Sequence, residues 1–451
     1  MTQDQALDIM KLGRNVFLTG AAGSGKSYLV QKYVTYLKKN KITVSVTAST
    51  GIAATQIDGR TIHSWAGIGI HDDMTDREIT RLFYNNDVRK RVTQTQVLVI
   101  DEISMLGAPI LDLLDRVCKS LRQNKKPFGG MQMIVCGDFF QLPPIPHRES
   151  GKPTGFAFTA EAWKQAEFAT CYLETQHRQT DDQYLELLSD IRKSNITESV
   201  LSTLFSRHGK SVDRVMKPTR LYTHNIDVDA LNAEELDALP AESKRYEMKT
   251  IGDEKLVQNL KKYCLVPEML ELKKDAVVMF VQNNRTKGYV NGTLGIVTGF
   301  DEISTYPIVE TASGREVLAK PGSWKIEEED EVVAEIIQVP IRLAWAITVH
   351  KSQGMSLDAA EIDLSKAFAE GMGYVALSRV RTLEGIALKG LNEMALKVNR
   401  KITELDGELQ SQSEENANEL KKMGARVMKQ KMKKFILQHK AQQEKDGKMS
   451  Y

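Results

Sequence analysis

Gly20-Ala21-Ala22-Gly23-Ser24-Gly25-Lys26-Ser27 follows directly on the apolar run Val16-Phe17-Leu18-Thr19. A short apolar strand that empties into a Gly-rich turn ending in Gly-Lys-Ser has the pattern of a phosphate-binding loop between a β-strand and a helix. Gly20, Gly23 and Gly25 permit a tight loop whose backbone N–H groups, Ser24 among them, point inward at phosphate oxygens. Lys26 then supplies a point charge for the terminal phosphates, and Ser27 a hydroxyl for Mg²⁺. The expected ligand is a nucleoside triphosphate with Mg²⁺.

Working outward, short apolar strands alternate with helical patterns through the first 165 residues: Val16 to Leu18, Thr43 to Val46, Val97 to Ile100 and Met133 to Cys136. That alternation predicts an α/β fold with a parallel sheet and crossover helices. Val97-Leu98-Val99-Ile100 is continuous enough to be buried on both faces, and Asp101-Glu102 stand at its C-terminal end, where open α/β sheets place their ligands. Asp101 is expected to hold Mg²⁺, and Glu102 to orient and deprotonate the attacking water. The strand Met133 to Cys136 runs into Gly137-Asp138-Phe139-Phe140-Gln141-Leu142-Pro143-Pro144, where Gln141 is placed to sense the γ-phosphate.

A second set of strands, Arg220 to Thr223, Ile336 to Val339 and Ala360 to Ile362, accompanies helical segments at 181–193 and 372–381 and predicts a second α/β domain. Between its parts, residues 233–335 carry short β-like runs separated by Asn-Gly, Ser-Gly and Pro-Gly turns, the pattern of a small inserted β-barrel. The domains expected are 1–165, then 166–232 with 336–394, with the insertion at 233–335 and a charged helical tail at 395–451. Within that tail, 411–418 reads as a linker and 419–443 as a helix with Val427, Met428, Met432, Phe435 and Ile436 on one stripe.

At 451 residues the chain is long enough for two or more domains, and 41% hydrophobic with 27% charged residues is ordinary globular composition. No apolar run approaches the roughly 18 residues that cross a bilayer, so no membrane partner is expected. Cys118, Cys136, Cys171 and Cys264 are far apart with no Cys-X-X-Cys pair, which favours buried free thiols in a reducing compartment. With no signal-peptide pattern, the expected location is a bacterial or viral host cytoplasm. Net charge is only +2, yet residues 421–451 hold ten Lys or Arg against Glu444 and Asp446. A nucleic acid must therefore meet a local channel, and the tail reads either as a solvated helix that docks weakly or as a basic arm for nucleic acid or a partner protein.

Taken in order, these segments resemble the superfamily-one helicases and, within them, the Pif (petite integration frequency) family, kin of the RecD-like 5′-to-3′ enzymes. The resemblance covers about residues 1–400. Besides Gly20 to Ser27 it rests on Thr47 to Ala54, Thr61 to Gly69, Asp101-Glu102-Ile103-Ser104-Met105, Gly137 to Pro144, Leu173-Glu174-Thr175-Gln176-His177-Arg178-Gln179, Thr348-Val349-His350-Lys351-Ser352-Gln353-Gly354, and Tyr374-Val375-Ala376-Leu377-Ser378-Arg379. It implies two RecA-like domains, an SH3-like insertion, and a pin or wedge at about 61–80.

By the same resemblance Gln5 reads the adenine edge, Gln353 and Gly354 belong to the nucleotide site, and Arg178 and Arg379 are arginine fingers reaching the γ-phosphate. Thr50, His63 and Ser64 on the first domain, and Thr223, His224, Asn225, His350 and Lys351 on the second, are implied contacts to the single-strand backbone. Trp65, Phe139, Phe140 and Tyr374 are candidates for stacking on bases. Two departures stand out: His177 replaces the aromatic usual before the Arg, and Lys193-Ser194 stand where Arg-X-Gly is expected. The function implied is an ATP- and Mg²⁺-dependent monomeric helicase moving 5′ to 3′ on single-stranded DNA and opening forked or structured DNA. A RecD-like or RNA-preferring helicase, and a phosphate-loop switch or assembly ATPase, are the alternatives.

Overall fold

A computed structural model describes the chain except residues 58, 70, 145–153, 180, 213–217, 285, 312, 329–330 and 449–451. It divides into two compact units, Met1–Arg178 with Asn399–Tyr451, and Gln179–Val398.

In the first unit, α1 (Gln3–Lys11) leads into β1 (Val16–Gly20), α2 (Lys26–Lys39), β2 (Val44–Ala48), α3 (Gly51–Gln56), β3 (Arg60–Thr61), α4 (Ile62–Ala66), β4 (Val97–Asp101), α5 (Ala108–Leu121), β5 (Gln132–Cys136) and β6 (Ala169–Leu173). The six strands form one parallel sheet in the order β3-β2-β4-β5-β1-β6. Every residue of β1, β4 and β5 is buried, which is why these strands read as continuous apolar runs instead of alternating ones. Helix α2 covers the sheet with Leu29, Val30, Tyr33 and Leu37, spaced to fall on one face. Buried Gln132 ties three elements together: its Nε2 donates to Met10 O (2.8 Å) and Arg14 O (2.7 Å), and its Oε1 lies 2.8 Å from the Tyr33 hydroxyl.

The first unit runs past the expected boundary at 165. Ala169–Leu173 pairs with β1 in parallel, Val16 opposite Ala169 through Gly20 opposite Leu173, so this segment completes the first sheet instead of opening the second domain. Its backbone pairs along the outer edge of β1.

The second unit holds α6 (Asp182–Arg192), β7 (Thr219–Tyr222), α7 (Asn225–Asp237), β8 (Ala346–Thr348), β9 (Ala360–Leu364), α8 (Met372–Leu377) and β10 (Ile386–Leu391). Its sheet is parallel, in the order β8-β7-β9-β10. Ile336 to Gln338, expected with Val339 in that sheet, is instead the end of Glu331–Gln338, which pairs antiparallel with Gly322–Glu328 and Lys249–Gly252. The place is taken by the shorter, fully buried Ala346-Ile347-Thr348. Among the described residues the insertion forms antiparallel sheets of two, five and three strands, and one of the five strands, Ile341–Leu343, lies past the expected end at 335.

The C-terminal helices α9 (Arg400–Lys422) and α10 (Ala425–Lys448) group with the first unit. The linker expected at 411–418 is helical because α9 buries Leu409, Ser413, Asn416 and Ala417. Ser413 Oγ accepts the Tyr172 N–H (2.9 Å), and Asn416 Nδ2 donates to Thr170 O (3.2 Å), so polar side chains close the edge of β6.

Candidate functional site

The loop between β1 and α2 has the backbone its glycines predict, with φ of 142° at Gly20, 84° at Gly23 and 83° at Gly25. The last two are left-handed, where a side chain is strained. A Cβ at Gly20 would also sit 2.6 Å from the Leu173 carbonyl oxygen. Lys26 bends back over the loop, its Nζ donating to Gly20 O (2.9 Å) and Ala21 O (3.1 Å). Ser24 is 1% exposed and its Oγ has no hydrogen-bond partner. The Ser24 N–H donates to Ala21 O (3.2 Å), and an unpartnered buried hydroxyl in a glycine-shaped loop at a helix N-terminus fits a phosphate group.

At the end of β4 the two carboxylates part company. Asp101 is buried, and burial pushes its carboxyl above the usual carboxylate range against the pull of the Glu102 N–H, the Cys136 thiol, the Lys26 ammonium and the Ser27 hydroxyl. Ser27 and Asp101 thus meet, as a shared Mg²⁺ would require. Glu102 turns the chain through φ 53°, ψ 46°, a left-handed conformation that costs a non-glycine residue about 1–3 kcal/mol. Ser49 Oγ steadies it by donating to Glu102 O (2.7 Å). Gly137 makes room, since a Cβ there would lie 2.9 Å from Ile103 N.

Beyond β5, Asp138 folds the chain sharply: its Oδ1 accepts the Phe140 N–H (3.2 Å) and its Oδ2 the Gln141 Nε2–H (3.4 Å). Gln141 is 6% exposed and its Oε1 is left without a partner, a carbonyl oxygen available to a polar ligand. Sequence reasoning missed both the Asp138 brace and the closeness of Cys136, whose thiol pKa is raised well above its ordinary value by burial first and by Asp101 next.

On the α1 side, Gln5 completes a capping box: its Oε1 accepts the Thr2 N–H at 3.0 Å. The amide that reaches the loop belongs to Gln3, whose Nε2 donates to Ser24 O (3.2 Å) and lies 3.4 Å from His177 Nε2. His177 N in turn donates to Gly23 O (2.9 Å), so the residue that departs from the family pattern is bonded to the phosphate loop itself. Arg178 is half-buried at the end of the first unit. In the second unit, Arg379 is 1% exposed, with Nε on Val375 O (2.9 Å) and Nη2 on Ser378 Oγ (2.8 Å); Gln353 is buried, and Gly354 turns at φ 78°.

The aromatic expectations need correction. Trp65, Phe139, Phe140 and Tyr374 are 1%, 3%, 4% and 2% exposed, so their faces are covered by protein and none is open to a base. Phe139 sits among Phe17, Phe156, Phe158 and Trp163 with ring centroids 5.0–6.0 Å apart. The Arg192 guanidinium lies over the Tyr374 ring at 5.9 Å. Among the backbone contacts implied on the first unit, Thr50 caps α3 by accepting the Ala53 N–H (3.2 Å), and half-buried His63 and Ser64 lie on α4.

The second unit gathers more of its set. Thr223 Oγ1 is 2.8 Å from His224 Nδ1, and the His224 and His350 rings lie 5.1 and 6.0 Å from the ring of Phe368. Phe368 is 55% exposed. Burial and the neighbouring His224 push the His350 pKa down, and burial does the same to Lys351 beside Arg342. Asn225 opens α7, but its side chain lies outside the described residues. Phe368 was missed because a lone Phe in a short loop carries no periodic signal. These residues follow the C-terminal ends of β7, β8 and β9, where an α/β sheet presents ligand contacts.

Comparison with known proteins places these sites in context. Residues 3–200 match the family model for PIF1-like helicase, and residues 255–300 that for the DNA helicase Pif1 2B domain. The chain is similar to the ATP-dependent DNA helicase Pif1 of Psychrobacter sp., 42% identical across 97% of this chain and 75% of that protein. It spans 64% of the ATP-dependent DNA helicase PIF1 of Xenopus laevis, at 38% identity over 91% of this chain. Among solved structures, Bacteroides sp. Pif1 in complex with ADP-AlF4 superposes with a TM-score of 0.76 at 29% identity, covering 91% of this chain and 96% of that one. Bacteroides Pif1 bound to single-stranded DNA gives 0.62 at 30% identity, covering 92% and 97%.

Proposed function

The chain belongs to the PIF1-like helicase family and is an ATP-dependent DNA helicase, and from that premise we propose a division of labour among its residues. Lys26 and the loop amides bind the triphosphate, Ser27 and Asp101 hold Mg²⁺, Glu102 orients and deprotonates the attacking water, and Gln141 engages the γ-phosphate. The metal, when bound, neutralises charge that develops on the transferred phosphoryl group. Gln5, Gln353 and Gly354 complete the nucleotide site, and Arg178 and Arg379 act as fingers, the kind of residue worth roughly 10³ to 10⁵ in rate. For Arg379 this requires its guanidinium to leave the Val375 carbonyl.

The observation that carries this reading is the cluster at the end of β4 and β5: Ser27 and Asp101 in contact, Lys26 folded over carbonyls, and a buried Gln141 oxygen with no partner. Polymer contact belongs to Thr50, His63 and Ser64 on the first unit, and on the second to Thr223, His224, Asn225, His350 and Lys351. Phe368 supplies the stacking surface that the buried aromatics do not. Translocation runs 5′ to 3′ on single-stranded DNA, by a monomer, as the family resemblance implies.

ATP turnover measured with and without single-stranded DNA tests the assignment. A motor rises sharply on adding the strand. Turnover indifferent to it would indicate a switch or assembly ATPase instead.

A further inference from the structure

The end of α9 and helix α10 carry a charge pattern that the nucleotide and strand sites do not use. From Leu420 to Gln443 the sequence contains no Asp or Glu, yet Lys421, Lys422, Arg426, Lys429, Lys431, Lys433, Lys434 and Lys440 all fall there and all are exposed. The rest of the chain is net acidic, but none of these eight forms an ion pair with a described residue. Cations left unpaired beside an acidic body set up a local positive field open to an external anion.

The helix is held with a fixed face outward. Phe435 is 7% exposed within the core that includes Leu7, Met10 and Leu37, and it fills the space a Cβ at Gly13 would enter, 2.4 Å from its Cδ2. Gln96 Nε2 donates to His439 O (2.7 Å). At 100° per residue, Arg426, Lys429, Lys433 and Lys440 share one stripe about 21 Å long, clear of Phe435. Part of that stripe lines a shallow groove with Ala425 and Gln430. The exposed large apolar residues of α10 are Val427 and Leu437, so it offers no ring on which a base could stack.

We infer that this stripe is a second DNA anchor that grips the phosphate backbone of duplex DNA. A duplex presents one negative charge per about 1.7 Å of axis in a rigid array, which a straight row of cations can track without reading bases, whereas single strands are held through stacking that α10 lacks. The inference rests on DNA being the polymer this helicase handles.

The test uses the full chain and its R426Q/K429Q/K433Q/K440Q variant, with fluorescence anisotropy on a blunt duplex and on an oligo-dT single strand, from about 50 to 200 mM salt. Four lost phosphate contacts should lower the slope of log affinity against log salt by about 3.6 on the duplex. Duplex affinity should fall at least about tenfold at the upper salt, and oligo-dT affinity less than about threefold. An unchanged duplex slope overturns the inference and leaves an acidic protein as the partner; an equal loss on both DNAs overturns it in favour of the single strand. A matching circular-dichroism melt establishes that the variant is folded, and oligo-dT binding by the unmodified chain reports separately on the helicase reading.

Discussion

At the end of β4 in the first unit, Asp101 is turned into the protein beside Ser27 and Lys26, whereas at the ends of β7, β8 and β9 in the second unit His224, His350 and Phe368 form a partly open surface of rings. Both groups occupy the C-terminal edge of a parallel sheet, yet the roles proposed for them differ, phosphate and metal for one and a polymer for the other. Burial decides the difference. Charges act strongly on a phosphoryl group only where water is excluded, and a base can stack only on a ring left uncovered.

The sharpest way to break this contrast is at the buried end. Lys26→Ala should lower ATP turnover by about 10²- to 10³-fold or more, as expected when an electrostatic group facing the reacting phosphate is removed. Near-normal turnover would remove the phosphate loop from the chemistry. The next effect concerns rings that the sequence offered as DNA contacts. Trp65→Ala and Tyr374→Ala should each destabilise their unit by about 3–5 kcal/mol in denaturant melts, because both side chains are core. A variant with normal stability and selectively weakened DNA binding would return that ring to the strand path.

At the open end the expected effect is smaller. Phe368→Ala should weaken single-strand binding by about 1–3 kcal/mol while leaving nucleotide affinity unchanged, measured by titration with oligo-dT and with a fluorescent ATP analogue. A further effect lies at the docked helix. His439 is held down to about 4, chiefly by burial and then by Arg122, against an ordinary 6.5. Between those values the unfolded chain binds the extra proton, so stability present above pH 6.5 is lost as pH falls through 4. Thermal melts between pH 7 and 4 should show a shallower decline for His439→Asn; identical slopes would exclude that linkage.

How much was legible follows the same division. Gly20, Gly23, Gly25 and Asp101 could be read because backbone conformation and strand-end position leave a fixed spacing in the chain. The covered aromatics could not, since Phe139 or Tyr374 in a motif looks alike whether it faces DNA or Phe17 and Arg192; only packing separates the two. Ile336 to Val339 was misassigned because an apolar run does not say which sheet it will join. The linker expected at 411–418 proved helical because Ser413 and Asn416, polar by composition, find partners on β6.

The most direct test is unwinding of two matched duplexes with ATP, one bearing a 5′ single-stranded tail and the other a 3′ tail. Opening of the 5′-tailed substrate, lost in Lys26→Ala, is expected of a motor driven from the β4 end. Opening of only the 3′-tailed substrate contradicts the direction, and opening of neither contradicts the motor itself.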